Sequence, residues 1–223
     1  MEQHPNREDD TKTRLLMAAG EVFAERGYRS ATVREICRRA DANIGAINYH
    51  FRDKKGLYRK VLEYSLRLAI KKYPPDMNLK KGTGPEEKLR AFIRSFLLRM
   101  MADGLPAWHG KLMAQEIANP TSLIKQVIKR SIRPLNDYLE KTVCELMEKE
   151  GIHKKPGDYE PFVCAMSIIG QCIHYFKGRP MIQALCPEGF DDSDIDMLTD
   201  HITNFSIGGI RAVTGKKRSP KIS

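Results

Sequence analysis

The sequence predicts an all-α protein, with an N-terminal helix-turn-helix head followed by a larger C-terminal helical domain. Three observations carry this. Apolar residues recur at spacings of three and four along most of the chain, no stretch alternates with period two for long enough to form a sheet, and proline or glycine pairs punctuate the pattern at helix-length intervals.

The first helix starts near Thr11, carries Leu15, Leu16, Ala19, Val22 and Phe23 on one face, and ends at Gly27, a residue suited to a left-handed cap. Thr32 is a good N-cap for a short second helix with Val33, Ile36, Cys37 and Ala40 on one side, broken at Asp41-Ala42. Asn43 caps a third from Ile44 to Phe51. Asp53 caps a longer fourth that runs toward Tyr73 and stops at Pro74-Pro75. The body helices run roughly from Pro85 to Met101, Ala107 to Ala118, Ser122 to Lys149 with a kink at Pro134, Asp158 to Lys177, and Asp194 to Val213. The expected organisation is a disordered N-terminus (1–10), a head (11–73), a helical domain (74–214) and a basic disordered tail (215–223).

The 223 residues are 41% hydrophobic and 30% charged, enough to bury a core. No apolar run approaches the roughly 20 residues that cross a bilayer, and the start MEQHPNREDDTKTR lacks an apolar signal segment, so the expectation is a cytoplasmic protein without a membrane partner. The five cysteines show no CxxC pair and no zinc-ligand spacing; they read as reduced and mostly buried, with no metal or cofactor. The net charge of +10 is uneven: net +6 over residues 1–73, −1 over 74–210, and five basic residues without an acid after 210. A basic head on a near-neutral body fits a nucleic-acid partner at the N-terminal end.

The segment Thr32 to Phe51, TVREICRRADANIGAINYHF, has the layout in which one helix braces against the DNA backbone and the next enters the major groove. Ile47 and Phe51, four apart, face inward. Ile44, Gly45, Ala46, Asn48, Tyr49 and His50 are left on outward or flanking faces, an unusual surface for a helix that meets only solvent. Gly45-Ala46 permits close backbone approach, Asn48 matches an adenine edge, and Tyr49 and His50 suit phosphates. For Arg34, Arg38 and Arg39 a solvated face is about as good a reading as DNA contact.

Residues Thr11 to about Leu66 resemble the DNA-binding domain of the TetR family, through Phe23, Gly27, Thr32, Ile36, Ala40, Gly45, Tyr49, His50, Phe51, Lys54 and Leu57. The resemblance implies phosphate contacts from Thr32, Tyr49, His50 and Lys54, and base contacts from Ile44, Gly45, Ala46 and Asn48. Asp41 stands where the family usually has glycine, Ile44 where a lysine or arginine is frequent, and Lys55 in place of a frequent acid, adding charge beside the DNA backbone. The long helix containing Ile132-Arg133-Pro134, and the run Ser167 to Phe176, resemble the CecR-like branch. Membership implies a homodimer on palindromic double-stranded operator DNA, most often a repressor released by a small-molecule effector.

In the helical domain, Met100, Trp108, Met113, Tyr138, Met166 and His174 have the composition of a pocket for such an effector, although singly each fits core packing as well. Two apolar stripes, Phe162, Met166, Ile169 and Ile173 on one helix and Ile195, Leu198, Ile202 and Phe205 on another, are candidates for a four-helix dimer interface or for the protomer core. Two other function classes remain open. An effector-independent architectural DNA-binding factor needs only the head; an enzyme is disfavoured by the absence of GxSxG, a P-loop, GxGxxG and HExxH.

Overall fold

The computed structural model describes residues 7–101, 104–186 and 194–215, and these are helical with no strand among them. Of the ends expected to be disordered, 1–10 and 215–223, residues 7–10 and 215 are helical instead, and the rest lie outside the described residues. The chain divides into two compact units, residues 1–71 with 103–132, and residues 72–102 with 133–223.

The first unit is built on α1 (Arg7–Ser30), α2 (Val33–Ala40), α3 (Ile44–Phe51) and most of α4 (Lys54–Lys72). Helix α1 begins four residues ahead of the expected Thr11. Gly27 interrupts it with φ 73° and ψ 164°, outside the left-handed helical well and open only to glycine, after which a last turn closes from Ala31 N–H to the Gly27 carbonyl. Leu15, Ala19, Val22 and Phe23 are buried as their spacing requires.

The same unit also holds α6 (His109–Ala118) and the short α7 (Ile124–Val127). Side chains explain this grouping. The Trp108 indole lies directly on Gly20 of α1, whose missing Cβ leaves the space. Gln115 Nε2 donates to the Ala24 carbonyl at 2.8 Å, the Tyr58 hydroxyl donates to Glu116 at 2.5 Å, and Ser65 Oγ and His109 Nδ1 share a hydrogen bond at 2.5 Å. Burial and the Glu116 hydrogen bond push the Tyr58 hydroxyl upward in pKa, so it stays a donor. Tyr58 also meets Phe23 edge-to-face at 4.7 Å and Tyr28 at 4.8 Å.

Between α7 and α8 (Arg133–Lys149), residues Ile128–Ile132 widen into a π-helical turn, at the kink expected from Pro134. Pro134 has no N–H, and its ring crowds the carbonyl one turn back; a wider turn relieves both.

The second unit packs α5 (Pro85–Met101), α8, α9 (Tyr159–Lys177) and α11 (Ile195–Gly215) around Leu89, Phe92, Ile93, Leu97, Leu139, Val143, Met147, Ala165, Ile168, Cys172, Leu198 and Ile202. Arg90 pairs with Asp200 at 2.6 Å and Arg94 with Asp196 at 2.7 Å. The Arg94 guanidinium lowers the Asp196 pKa, and being exposed these pairs orient α11 on α5 more than they stabilise it. The second unit also has a helix that the sequence reading missed, α10 (Arg179–Leu185), with Pro180 in its first turn. Cys37, Cys144 and Cys172 are buried thiols, Cys164 is half-buried and Cys186 is exposed, in line with the expectation that the cysteines are mostly buried.

Candidate nucleic-acid interface

Helix α2 starts where Thr32, in extended backbone conformation, accepts the Glu35 N–H on its hydroxyl at 3.2 Å. The hydroxyl can still donate outward. Ile36, Cys37 and Ala40 anchor the inner face. Asp41 ends the helix in the left-handed region at φ 46° and ψ 56°, the conformation its tolerance for αL was expected to supply, and Ala42 N–H returns to the Cys37 carbonyl at 3.0 Å. Arg14 of α1 holds this turn from outside, its Nε donating to the Ala40 carbonyl at 3.2 Å. That brace was not singled out in the sequence.

Asn43 then caps α3, its Oδ1 accepting the Gly45 N–H at 2.9 Å. Asn43→Ala is expected to lower the stability of the head by about 1 kcal/mol, seen as a lower melting temperature. Ile47 and Phe51 are buried, as the spacing of four requires. The outer face carries Ile44 at 46% and Tyr49 at 73% exposure, with Gly45 and Asn48 exposed, and Ala46 and His50 half-buried. Gly45 is not demanded by the fold: a Cβ there would meet nothing nearer than Asn43 Oδ1 at 3.6 Å, and its φ is not in the positive region.

The basic residues differ in availability. Arg39 is spent on α1, gripping Glu25 with both terminal nitrogens at 2.9 and 2.5 Å and reaching Glu35 at 3.2 Å. These hydrogen bonds lower the Glu25 pKa and raise that of Arg39. Lys54, expected on a phosphate, donates to the Arg29 carbonyl at 3.1 Å and lies 4.9 Å from the Tyr28 ring centre; burial lowers its pKa. Arg34, Arg38 and Lys55 are exposed.

The six residues expected to line an effector pocket do not share one compact unit. Trp108 and Met113 are buried in the first. Met100, Tyr138, Met166 and His174 belong to the second, where Tyr138 stacks on Phe92 at 6.2 Å, Met166 is exposed, and His174 borders a shallow groove of about 410 Å³ with Gly170, Gln171, Tyr175, His201 and Phe205. A larger cavity of about 750 Å³ in the first unit is lined by Arg26, Tyr28, Tyr58, Gln115, Asn119 and Thr121 among others, and by none of the six.

For the expected dimer stripes there is a correction. Leu198 and Ile202 are fully enclosed in the core of the second unit, because α11 turns them onto α5 and α8, so they cannot meet a second copy. Ile169, Ile173 and Ile195 are half-buried, whereas Phe162, Met166 and Phe205 remain exposed. No group of three or more His, Cys, Asp or Glu that could hold a metal occurs among the described residues, and no helix there is long and apolar enough to cross a membrane.

Comparison with known proteins matches two family models, bacterial regulatory proteins of the tetR family over residues 15–61 and the C-terminal domain of the HTH-type transcriptional dual regulator CecR over residues 85–210. The HTH-type transcriptional dual regulator CecR of Shigella flexneri is 27% identical over 206 residues, covering 87% of this chain and 89% of that one. The HTH-type transcriptional regulator UidR of Escherichia coli (strain K12) is 32% identical over 63 residues, 28% of this chain, so the match spans about a third (32%) of that relative. Among solved structures, AibR in complex with isovaleryl coenzyme A and operator DNA superposes with a TM-score of 0.63 at 19% identity, covering 87% and 97% of the two chains. FadR of Bacillus subtilis in complex with stearoyl-CoA gives 0.62 at 18% identity, covering 88% and 98%.

Proposed function

Because the chain belongs to the TetR family and carries the C-terminal domain of its CecR branch, we propose that it binds a palindromic operator as a homodimer through α3 and acts as an effector-responsive transcriptional regulator, most often a repressor. The observation that carries this reading is the outer face of α3. A helix held by only Ile47 and Phe51 presents Ile44, Gly45, Asn48 and Tyr49 outward, and its glycine serves nothing within the protein. An apolar, side-chain-poor face suits a groove wall and thymine methyl groups, and Asn48 can take both hydrogen bonds of an adenine edge.

The test is selection of genomic fragments by the purified protein, followed by anisotropy titration of the selected site at several salt concentrations. Failure to enrich any site over bulk DNA overturns the reading. On such a site, Asn48→Ala is expected to relax preference at one base position at a cost of about 1–3 kcal/mol, whereas Tyr49→Phe and Lys54→Ala weaken binding to all sequences about equally and flatten the salt dependence. Gly45→Ala separates fold from recognition: in the first turn of α3 it costs the fold little, yet it places a methyl group against the groove and lowers affinity. Unchanged affinity in all four variants rules out α3 as the reading helix.

The effector is proposed to bind the second unit, whose apolar core suits a largely apolar small molecule. The acyl-coenzyme A ligands of AibR and FadR make isovaleryl- and stearoyl-CoA the first probes. The chain crosses between the units at 71/72, 102/103 and 132/133, and these crossings are the covalent routes by which occupancy reaches the head. Recognition helices must sit about 34–36 Å apart to read successive major grooves, so a small change in their spacing is enough for release. Linkage requires that an effector which weakens operator binding be weakened equally by operator. A bound effector with equal affinity for free and operator-bound protein overturns the switch.

A further inference from the structure

Arg99 lies on α5 inside the second unit and is 5% exposed. Its Nη1 donates to the Tyr73 carbonyl at 2.8 Å and to the Ser95 hydroxyl, both neutral acceptors. Its Nη2 is buried with no hydrogen-bond partner. The guanidinium carbon stands 5.8 Å from the Phe96 ring centre, and no carboxylate pairs with Arg99 among the described residues. The other arginines of α5, Arg90 and Arg94, pair on the solvent side with Asp200 and Asp196.

A buried charge is retained in proteins when it is paired or binds a ligand, because an unpaired one costs far more than any neutral hydrogen bond returns. The neighbouring Cys172 does not supply the missing charge. Burial pushes its thiol up to about 12, while the same burial brings Arg99 down only to about 10, so at neutral pH the two remain a thiol and a guanidinium. The polar contacts of Arg99 therefore account for one of its terminal nitrogens and leave its charge and the other nitrogen unanswered.

We propose that Arg99 is the anion-recognition residue of the second unit, binding the carboxylate or phosphate of a small molecule whose apolar body lies beside the Phe96 ring. This rests on the second unit being the effector-binding one and names the effector class: an organic anion rather than a neutral hydrophobe. Nη1 gives both of its hydrogens to Tyr73 and Ser95, which fixes the plane of the guanidinium and leaves the Nη2 hydrogens to make a charge-assisted contact with an anion oxygen. The apolar surroundings strengthen that charge-assisted contact.

The test uses the full chain with decanoate, decyl phosphate and 1-decanol as probes, read by thermal melting and calorimetry, with DNA affinity measured in parallel on the same preparations. At least one of the two anions is expected to raise the melting temperature of the wild type by several degrees, with 1-decanol giving a much smaller rise. Arg99→Met should weaken the anion about ten-fold or more while binding 1-decanol as well as the wild type does, and Arg99→Lys should fall between. Because the charge serves the ligand and not the fold, ligand-free Arg99→Met should melt no lower than the wild type. A wild type unmoved by both anions, an Arg99→Met variant that still prefers them over the alcohol, or a ligand-free variant that melts well below the wild type overturns the assignment. DNA affinity keeps the two readings apart, since an operator-binding protein indifferent to anions refutes Arg99 recognition alone.

Discussion

Trp108→Ala is expected to destabilise the first unit by about 3–5 kcal/mol, a large part of the 5–15 kcal/mol that holds a typical domain together. Trp108 is the only tryptophan, is buried, and fills the slot left by Gly20 on α1. Its removal deletes a buried contact by which the segment containing α6 is held to α1, so operator affinity should fall with stability. The reciprocal change makes a sharper test, because its sign depends on the background. Gly20→Ala gains up to about 1 kcal/mol of helix propensity. In the wild type that gain is overwhelmed, since the new methyl group overlaps the indole and overpacking costs about 1–3 kcal/mol. In the Trp108→Ala background the slot is empty and the same substitution should stabilise. Circular-dichroism melts of the four proteins give the cycle, and a Gly20→Ala variant more stable than the wild type refutes the contact.

The pairing of Gly20 with Trp108 also shows where sequence reading stops. The head was legible because its boundaries are local: Thr32, Asn43 and Asp53 each cap a helix with their own side chain, and the Pro74-Pro75 pair ends α4. The outer face of α3 followed from a spacing of four between Ile47 and Phe51. The association of α6 with α1 had no such signal, because at Gly20 the information is a missing side chain whose meaning depends on a residue 88 positions away. From composition alone Trp108 therefore falls among the effector candidates of the helical domain. Arg99 did leave a trace. It follows Phe92 and Ser95 at seven and four residues, which places it on the inward face of α5, while Arg90 and Arg94 turn outward. A charge on an apolar face was the signal, hidden among the other basic residues of one helix.

The stripe on α11 failed for a related reason. Four apolar residues at spacings of three and four define a face, but a helix packed along one side divides such a face, and here the division runs between Ile202 and Phe205. The exposed side is instead marked by Met197, His201 and Phe205, four apart, with Gly208 beyond, where an added Cβ would meet nothing within 4 Å. It continues onto α9 through Phe162, Val163, Met166 and Gly170, the helices being tied by Gln171 to Ser206 at 3.3 Å.

Phe205→Asp is therefore expected to abolish the proposed dimer while leaving the protomer folded. Phe205 is 66% exposed, so the protomer loses little by its replacement; a two-fold interface would carry the substitution twice, burying two carboxylates on an apolar surface without partners. Truncation of a central interface aromatic alone costs about 2 kcal/mol or more, and the introduced charges add to it. Operator binding should fall further than subunit association does at any one concentration, because each head then binds its half-site without the effective concentration that the second head supplies, a factor of about 10²–10⁴. A substitution at Leu198, inside the protomer core, should instead unfold the second unit, so Leu198→Asp serves as the contrasting control. Light scattering and circular dichroism on both variants decide the matter. A Phe205→Asp protein that melts like the wild type and still scatters as a dimer places the interface elsewhere on the molecule.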